Sequence, residues 1–456
     1  ERGRGRPQQA LAAHQAAGEL ADDLALAIPG VEGRSNFVTA HARGDADHVT
    51  LLLEQGQPEA ALCVAAASRA RHMRSLWSRL RPALPPAERE RYRQLLAAHQ
   101  RHRLAVNERL KDAWSLSDAE LGELRETLRD EAERDDARIA EATALLEGQA
   151  PRWSCDALLP PEPGEGLLTM IRSRDEAVFL LATERTVVAE RILVGDQNPE
   201  QLAVRAIMAL ANEIVSLREL RVIPAGAFMT VPFHREMMTR LPRSPVVRYS
   251  LGLGRPASEI PRQTPPRAAV IVGAEDLAGV VEEARKARAS LEDGGWSVTS
   301  RWSPEDPQQP LLLHYSGHGH RRGPGGWQSD LELPDYGRLS AAALVAGAQA
   351  PTWVVLAACS AAAPDPRTVD GGMNLASAFI LAGAELVIAP TEAVDDKTAQ
   401  TLGEALYQGT GALPTGDSTI ADVLVHKLTA MQRSQLSSGE PEDPARSYAT
   451  WRAWEG

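Results

Sequence analysis

The sequence predicts an α/β protein: a mostly parallel sheet flanked by helices, preceded by an all-α, helical-repeat-like region. Three observations carry this. Residues 1–150 space their apolar side chains as helices do, with turn residues between the runs. A Pro/Gly-rich stretch, LLPPEPGEG over 158–166, closes that region. Beyond it, short apolar runs alternate with helical stretches, the pattern of strands joined by crossover helices and buried on both faces. The expected organisation is therefore a helical region over 1–150, a linker over 151–166 and an α/β domain over 167–456.

The elements follow in order. Leu11 to Ile28 has helical spacing and stops at Pro29-Gly30. A second helix covers Asp47 to Glu54. A third runs from Pro58, a proline suited to a first helical position, to Leu80. The turn between these two, Gln55-Gly56-Gln57-Pro58, makes a helix–turn–helix, and 51–71 resembles one tetratricopeptide repeat. No second copy recurs at a fixed period. Glu88 to Trp114 is a long polar helix. Ser117 opens another, with Glu120 three residues on as a capping box and Leu121, Leu124 and Leu128 on one face. Their charge suits solvated faces or an antiparallel hairpin.

After the linker, strands are expected at Leu167–Ile171, Glu176–Thr183, Val187–Leu193, Leu220–Pro224, Val246–Ser250, Ala268–Gly273, Ser297–Arg301, Leu311–Tyr315, Trp353–Ala358 and Glu385–Ala389. Helices are expected at Pro199–Leu217, Leu277–Asp293, Ala341–Ala348, Asn374–Ala382 and Thr398–Tyr407. In such a sheet the reactive groups gather at the carboxyl ends of the strands.

Composition excludes several classes. The 456 residues carry a net charge of −12 with no basic stripe, so no direct nucleic-acid partner is expected. No run reaches the ~20 apolar residues of a membrane-crossing helix, and no secretory signal opens the chain, so no membrane partner and a cytoplasmic location are expected. The three cysteines, Cys63, Cys155 and Cys359, lie far apart; neither a disulfide framework nor a C-x-x-C metal site is expected, and a reducing compartment fits. The chain begins with Glu1 rather than Met, as a fragment or processed product would.

Two apolar strands end in reactive groups. LLLHYSGHGH (311–320) ends around His318, and PTWVVLAACSAAA (351–363) ends around Cys359. If these strands are parallel neighbours, the two side chains emerge together, giving a thiol nucleophile and its base. A thiol beside an imidazolium ionises more readily. The amides of Gly319 and Cys359 are the candidate donors to the oxyanion.

HYSGHG, LSAAAL, VVLAACSA, NLASAFILAGAELVIAPTEAVDDKTAQ and ALYQ follow one another as in CHAT domains, the caspase- and separase-like peptidases often found behind helical repeats. LRVIPAGAFMTVPFHREM (220–237) resembles the family's upstream strand–turn segment. The resemblance covers roughly 165 to 410. It implies a caspase-like α/β fold and endopeptidase activity, with His318 and Cys359 as the dyad and the Gly319 and Cys359 amides as oxyanion hole. The family's usual Glu-Thr after the cysteine is Ser360-Ala361 here, and its Trp before the Val-x-Asp signature is Glu392, with Val394 and Asp396 retained. The partners this implies are a protein substrate, such as a gasdermin-like pore former or a CRISPR-linked protein, and a regulator or ligand acting through the helical region in bacterial defence or programmed death.

Other residues near the dyad are weighed against plainer roles. Asp395 and Asp396 could line a pocket for a basic substrate side chain, although an Asp here more often caps the following helix, and Asp396 is the expected cap. Asp370 and Asp335 lie in loops and could orient substrate. Trp327, in a Gly-rich loop, could line the pocket or stand exposed. His314, His318 and His320 share strand parity, but Gly317 and Gly319 interrupt the strand and no carboxylate sits among them; no metal and no cofactor are expected. GHGHRRG lacks a third glycine in register for a dinucleotide loop.

Overall fold

A computed structural model describes residues 6–27, 31–71, 73, 85–110, 113–145, 155, 158, 161–253, 265–274, 277–304, 306, 308–321, 324–334, 336–347, 349–365, 372–408, 420–438 and 447–455. The first part is helical: α1 (Pro7–Ala27), α2 (Val31–Glu54), α3 (Pro58–Ala70), α4 (Pro86–Leu110) and α5 (Asp118–Ala144). α2 is longer and α3 shorter than the sequence pattern suggests. Gly56 makes the turn between them at φ +68°, a conformation that costs glycine little. The capping box at α5 forms: Ser117 N–H and Oγ both donate to Glu120 Oε2, at 2.8 and 2.6 Å. α4 and α5 are an antiparallel hairpin, since Arg91 pairs with Glu141 while Arg109, further along, pairs with Glu131.

The second part is one eleven-stranded sheet with helices on its faces. Its elements are β1 (Glu165–Arg172), β2 (Glu176–Thr183), β3 (Val187–Leu193), α6 (Pro199–Ala209), α7 (Ala211–Val215), β4 (Glu219–Ile223), α8 (Phe233–Arg240), β5 (Val246–Ser250), β6 (Arg267–Val272), α9 (Ala278–Asp293), β7 (Ser297–Thr299), β8 (Leu312–Gly317), β9 (Gly319–His320), β10 (Asp330–Leu333), β11 (Gly337–Ser340), α10 (Ala341–Gly347), β12 (Trp353–Ala358), α11 (Leu375–Leu381), β13 (Leu386–Pro390), α12 (Asp396–Tyr407), α13 (Ile420–Ser438) and β14 (Trp451–Glu455). The spatial order is β3-β2-β1-β4-β5-β14-β13-β12-β8-β6-β7, while β9, β10 and β11 make a small separate sheet. β1, β4, β5 and β14 run parallel, as do β13, β12, β8, β6 and β7. The two sets meet head to tail at the antiparallel pair β13–β14.

The near-continuous apolar strands are explained by burial on both faces. Leu312, Val355 and Ile388 pack against α9, α12 and α13 on one face. Leu313, Val354 and Val387 pack against α11 and α10 on the other. The helical region shares this core. Ala61, Leu62 and Ala65 of α3 pack with Leu167, Val178 and Leu180 of β1 and β2.

Two sequence expectations are corrected. Cys63 and Cys155, 92 residues apart in the chain, form a disulfide with Cα atoms 5.5 Å apart. α3 lies over the start of the sheet and Leu158 belongs to the same core, so distance along the chain did not reflect distance in space. The reducing-compartment inference drawn from unpaired cysteines loses its basis. Second, α13 and the central strand β14 went unrecognised. Among the described residues no helix is long and apolar enough to cross a membrane.

Candidate active site

β8 and β12 are parallel neighbours whose register ends with Ala358 opposite Gly317. One residue further along each strand stand Cys359 and His318. Adjacent strands lie about 4.8 Å apart, so the two residues leave the sheet side by side. His318 is exposed and Cys359 half-buried.

Glycines make this approach possible. A Cβ built on Gly319 would sit 2.5 Å from the carbonyl oxygen of Cys359 and 3.2 Å from Ala358 Cβ. The backbone leaving His318 therefore lies directly on the peptide of the cysteine. It then enters β9, which pairs with β10.

Cys359 is followed by a sharp turn. Ser360 has φ +56°, the one non-glycine positive φ among the described residues. Its N–H donates to the Glu392 carbonyl at 2.9 Å, and Ala362 N–H donates to the Pro390 carbonyl at 2.9 Å. The segment leaving β13 thus holds the turn from one side. The Cys359 thiol donates to the carbonyl of Val394 at 3.7 Å, a bond only the S–H form can make.

The surrounding acids have distinct places. Asp395, not Asp396, caps α12: it accepts the Thr398 N–H at 3.0 Å and the Thr398 hydroxyl at 2.9 Å. α12 begins at Asp396, two residues before the expected Thr398, and its cap falls one residue before the expected Asp396. Asp396 is exposed and lies against Gly279 in the first turn of α9, where a Cβ would come within 2.5 Å of its carboxylate. Asp370 and Asp335 lie outside the described residues. Trp327 is 9% exposed and packs in the main core, its carbonyl accepting the Ala342 N–H at 3.1 Å; it is a core residue here, buried because its loop folds onto Met373.

The three histidines separate. The His318 and His320 rings are 5.8 Å apart at the edge. His314 is fully buried, its Nδ1 2.8 Å from the Tyr407 hydroxyl and its Nε2 3.1 Å from Glu283 and 2.9 Å from Ser316. This polar knot ties β8 to α9 and α12. Burial, and then the Glu283 charge, push the Tyr407 hydroxyl well above its ordinary value. Among the described residues no three His, Cys, Asp or Glu side chains gather as a metal set.

Sequence reasoning missed Tyr315. Its hydroxyl lies 3.1 Å from the carbonyl oxygen of His318. Only the position within HYSGHG, two residues before the end of β8, hinted at a role.

A family model described as the CHAT domain matches residues 197–453, more than half of the 456. It reaches into β14, beyond the stretch whose motifs were recognisable. Comparison with curated protein sequences gives no match. Among solved structures, an Arg-specific cysteine proteinase, gingipain R, is 12% identical over 56% of this chain and 66% of its own, with a TM-score of 0.34. The Saccharomyces cerevisiae separase–securin complex is 11% identical over 98% of this chain and 27% of the chain matched, with a TM-score of 0.36. This chain spans less than two thirds of either. With the match running through β8 and β12 and on to β14, the chain belongs to the CHAT domain family.

Proposed function

We propose that this chain is a cysteine endopeptidase in which Cys359 is the nucleophile and His318 its base. The observation that carries the reading is the β8–β12 register, which brings the two residues out on adjacent strand ends. Sγ leaves the Val394 carbonyl, gives its proton to the imidazole and attacks the peptide carbonyl. The N–H groups of Gly319 and Cys359 receive the oxyanion; that of Ser360 is already committed to Glu392. The tetrahedral adduct expels the amine, which takes the proton from His318, and water then hydrolyses the thioester. Asp396, whose carboxylate is not used as a cap, is the better placed acid to receive a basic substrate side chain, with Asp395 and Asp370 as further candidates.

The substrate in this reading is a dedicated protein, gasdermin-like or CRISPR-linked, cleaved in bacterial defence or programmed death in the cytoplasm. The tetratricopeptide-like helices receive the regulator. In support, α2 packs on the turn at 324–326, and α4 packs on α10, so the helical region touches the segments that follow His318.

A second reading is a catalytically silent scaffold. It is favoured by one observation: the thiol bonds to Val394 rather than to the imidazole. The test is cleavage of proteins encoded beside the gene by the native chain, Cys359→Ala and His318→Ala. Loss of cleavage in both variants supports the protease, and insensitivity to a chelator separates it from a metal hydrolase. Cleavage that survives Cys359→Ala refutes the dyad. No cleavage by the native chain, together with no labelling of Cys359 by a thiol-directed probe, favours the scaffold.

A further inference from the structure

A fully buried phenol lies under the dyad. Tyr315 is 0% exposed, and its hydroxyl has three backbone partners. It lies 3.1 Å from the His318 carbonyl and 3.2 Å from the Glu332 carbonyl, and it accepts the Glu332 N–H at 3.2 Å. Its single proton is shared between the two carbonyls. One oxygen thus joins the end of β8 to β10.

Two glycines make room for it. A Cβ on Gly273 would lie 2.1 Å from the Tyr315 hydroxyl, and one on Gly317 would lie 2.8 Å from it. Gly273 itself donates to the Ser316 carbonyl at 2.8 Å. The ends of β6 and β8 are therefore shaped around this hydroxyl. The ring is a core group among Ile271, Leu331 and Leu333, a role phenylalanine would fill equally. Burying an O–H without partners is costly, so the hydroxyl is retained for what it holds.

What it holds is the peptide between His318 and Gly319. That peptide is planar, with its C=O and N–H pointing in opposite directions. Fixing the His318 carbonyl fixes the direction of the Gly319 N–H as well. We infer that Tyr315 is a positioning residue that, through one hydrogen bond to the His318 carbonyl, sets both the origin of the imidazole and the aim of the Gly319 N–H. The inference rests on the dyad reading, and on no property of the substrate.

The test is the rate of Cys359 alkylation by iodoacetamide in the full chain, read by peptide mass spectrometry. It is run between roughly pH 5 and 9, bracketing ordinary imidazole and thiol values. In a dyad, His318 sustains thiolate reactivity on the acid side, and His318→Ala removes it. Tyr315→Phe is expected to lower acid-side alkylation roughly tenfold, within the ~100-fold that about 1 Å of misplacement can cost, with circular dichroism unchanged. A native profile in Tyr315→Phe, with His318→Ala impaired, overturns the inference and leaves the dyad intact. A native profile in His318→Ala overturns the dyad, and the inference with it. Should Tyr315→Phe not fold, Gly273→Ala replaces it, because its methyl would lie 2.1 Å from the hydroxyl, 2.5 Å from the ring carbon that carries it and 2.7 Å from the Glu332 carbonyl, so the hydroxyl must leave its place. Native reactivity in folded Gly273→Ala overturns the inference in the same way.

Discussion

Ser360 is the residue that turns the chain away from Cys359, and it does so in the left-handed region that side chains with a Cβ avoid. A β-branched replacement there adds further steric cost. Ser360→Val should lower unfolding stability by about 1–2 kcal/mol, whereas Ser360→Gly should not. Urea denaturation of the two variants measures the difference. At this scale the sequence was informative where the chemistry is written in adjacent letters. HYSGHG and AACSA point to His318, Gly319 and Cys359 as candidates, and the β8–β12 register sets His318 and Cys359 on neighbouring strand ends. Ser360, Tyr315 and the Val394 carbonyl were not legible, because each acts through a backbone group contributed by another segment. The Asp395 cap was missed by one residue, since either of two adjacent aspartates satisfies the pattern.

Elements that bury both faces were read almost to the residue; β2, β5 and β12 match their apolar runs, and so does the half-exposed edge strand β3. β14 was not, and its sequence explains why. Trp-Arg-Ala-Trp-Glu looks like a polar stretch, yet all five residues are buried. Arg452 donates to the carbonyls of Met229, Thr230 and Val231 at 2.6, 3.1 and 3.1 Å and lies over the Tyr249 ring. Glu455 pairs with Arg221 at 2.6 Å. No local pattern announces partners more than 200 residues away. The same junction contains His234 of α8, whose ring nitrogens meet the Tyr249 hydroxyl at 2.7 Å and the Ala449 carbonyl at 2.9 Å. Burial, reinforced by Arg452, lowers its value from 6.5 to about 3. The unfolded chain protonates this histidine below about 6.5, whereas the folded chain stays neutral until about 3. Its contribution is complete above 6.5 and is lost as pH falls towards 3, at up to about 1.4 kcal/mol per pH unit. Denaturation midpoints measured across that window should fall less steeply in His234→Gln than in the native chain.

At the scale of the whole molecule, the helical region and the sheet were legible as separate grammars, but their joint core was not. Packing of α3 on β1 and β2 depends on how two distant faces match, and the Cys63–Cys155 bridge reports the same closeness. A cross-link over so long a stretch restricts the unfolded chain strongly. Reduction, or the double replacement Cys63→Ser with Cys155→Ser, should cost about 2–4 kcal/mol. Guanidinium unfolding with and without dithiothreitol checks it. The order of the strands has a consequence in time. β14 sits in the middle of the sheet, between β5 and β13, yet among the described strands it comes last along the chain. Thr391, in the segment that steadies the Cys359 turn, leans on the Thr450 carbonyl just before it. Until β14 emerges, a growing chain carries two half-sheets, β3-β2-β1-β4-β5 and β13-β12-β8-β6-β7, with His318 and Cys359 both at the strand ends of the second. Closing the sheet therefore waits for β14, the one strand that touches both halves, whereas the pairing of β8 with β12 does not.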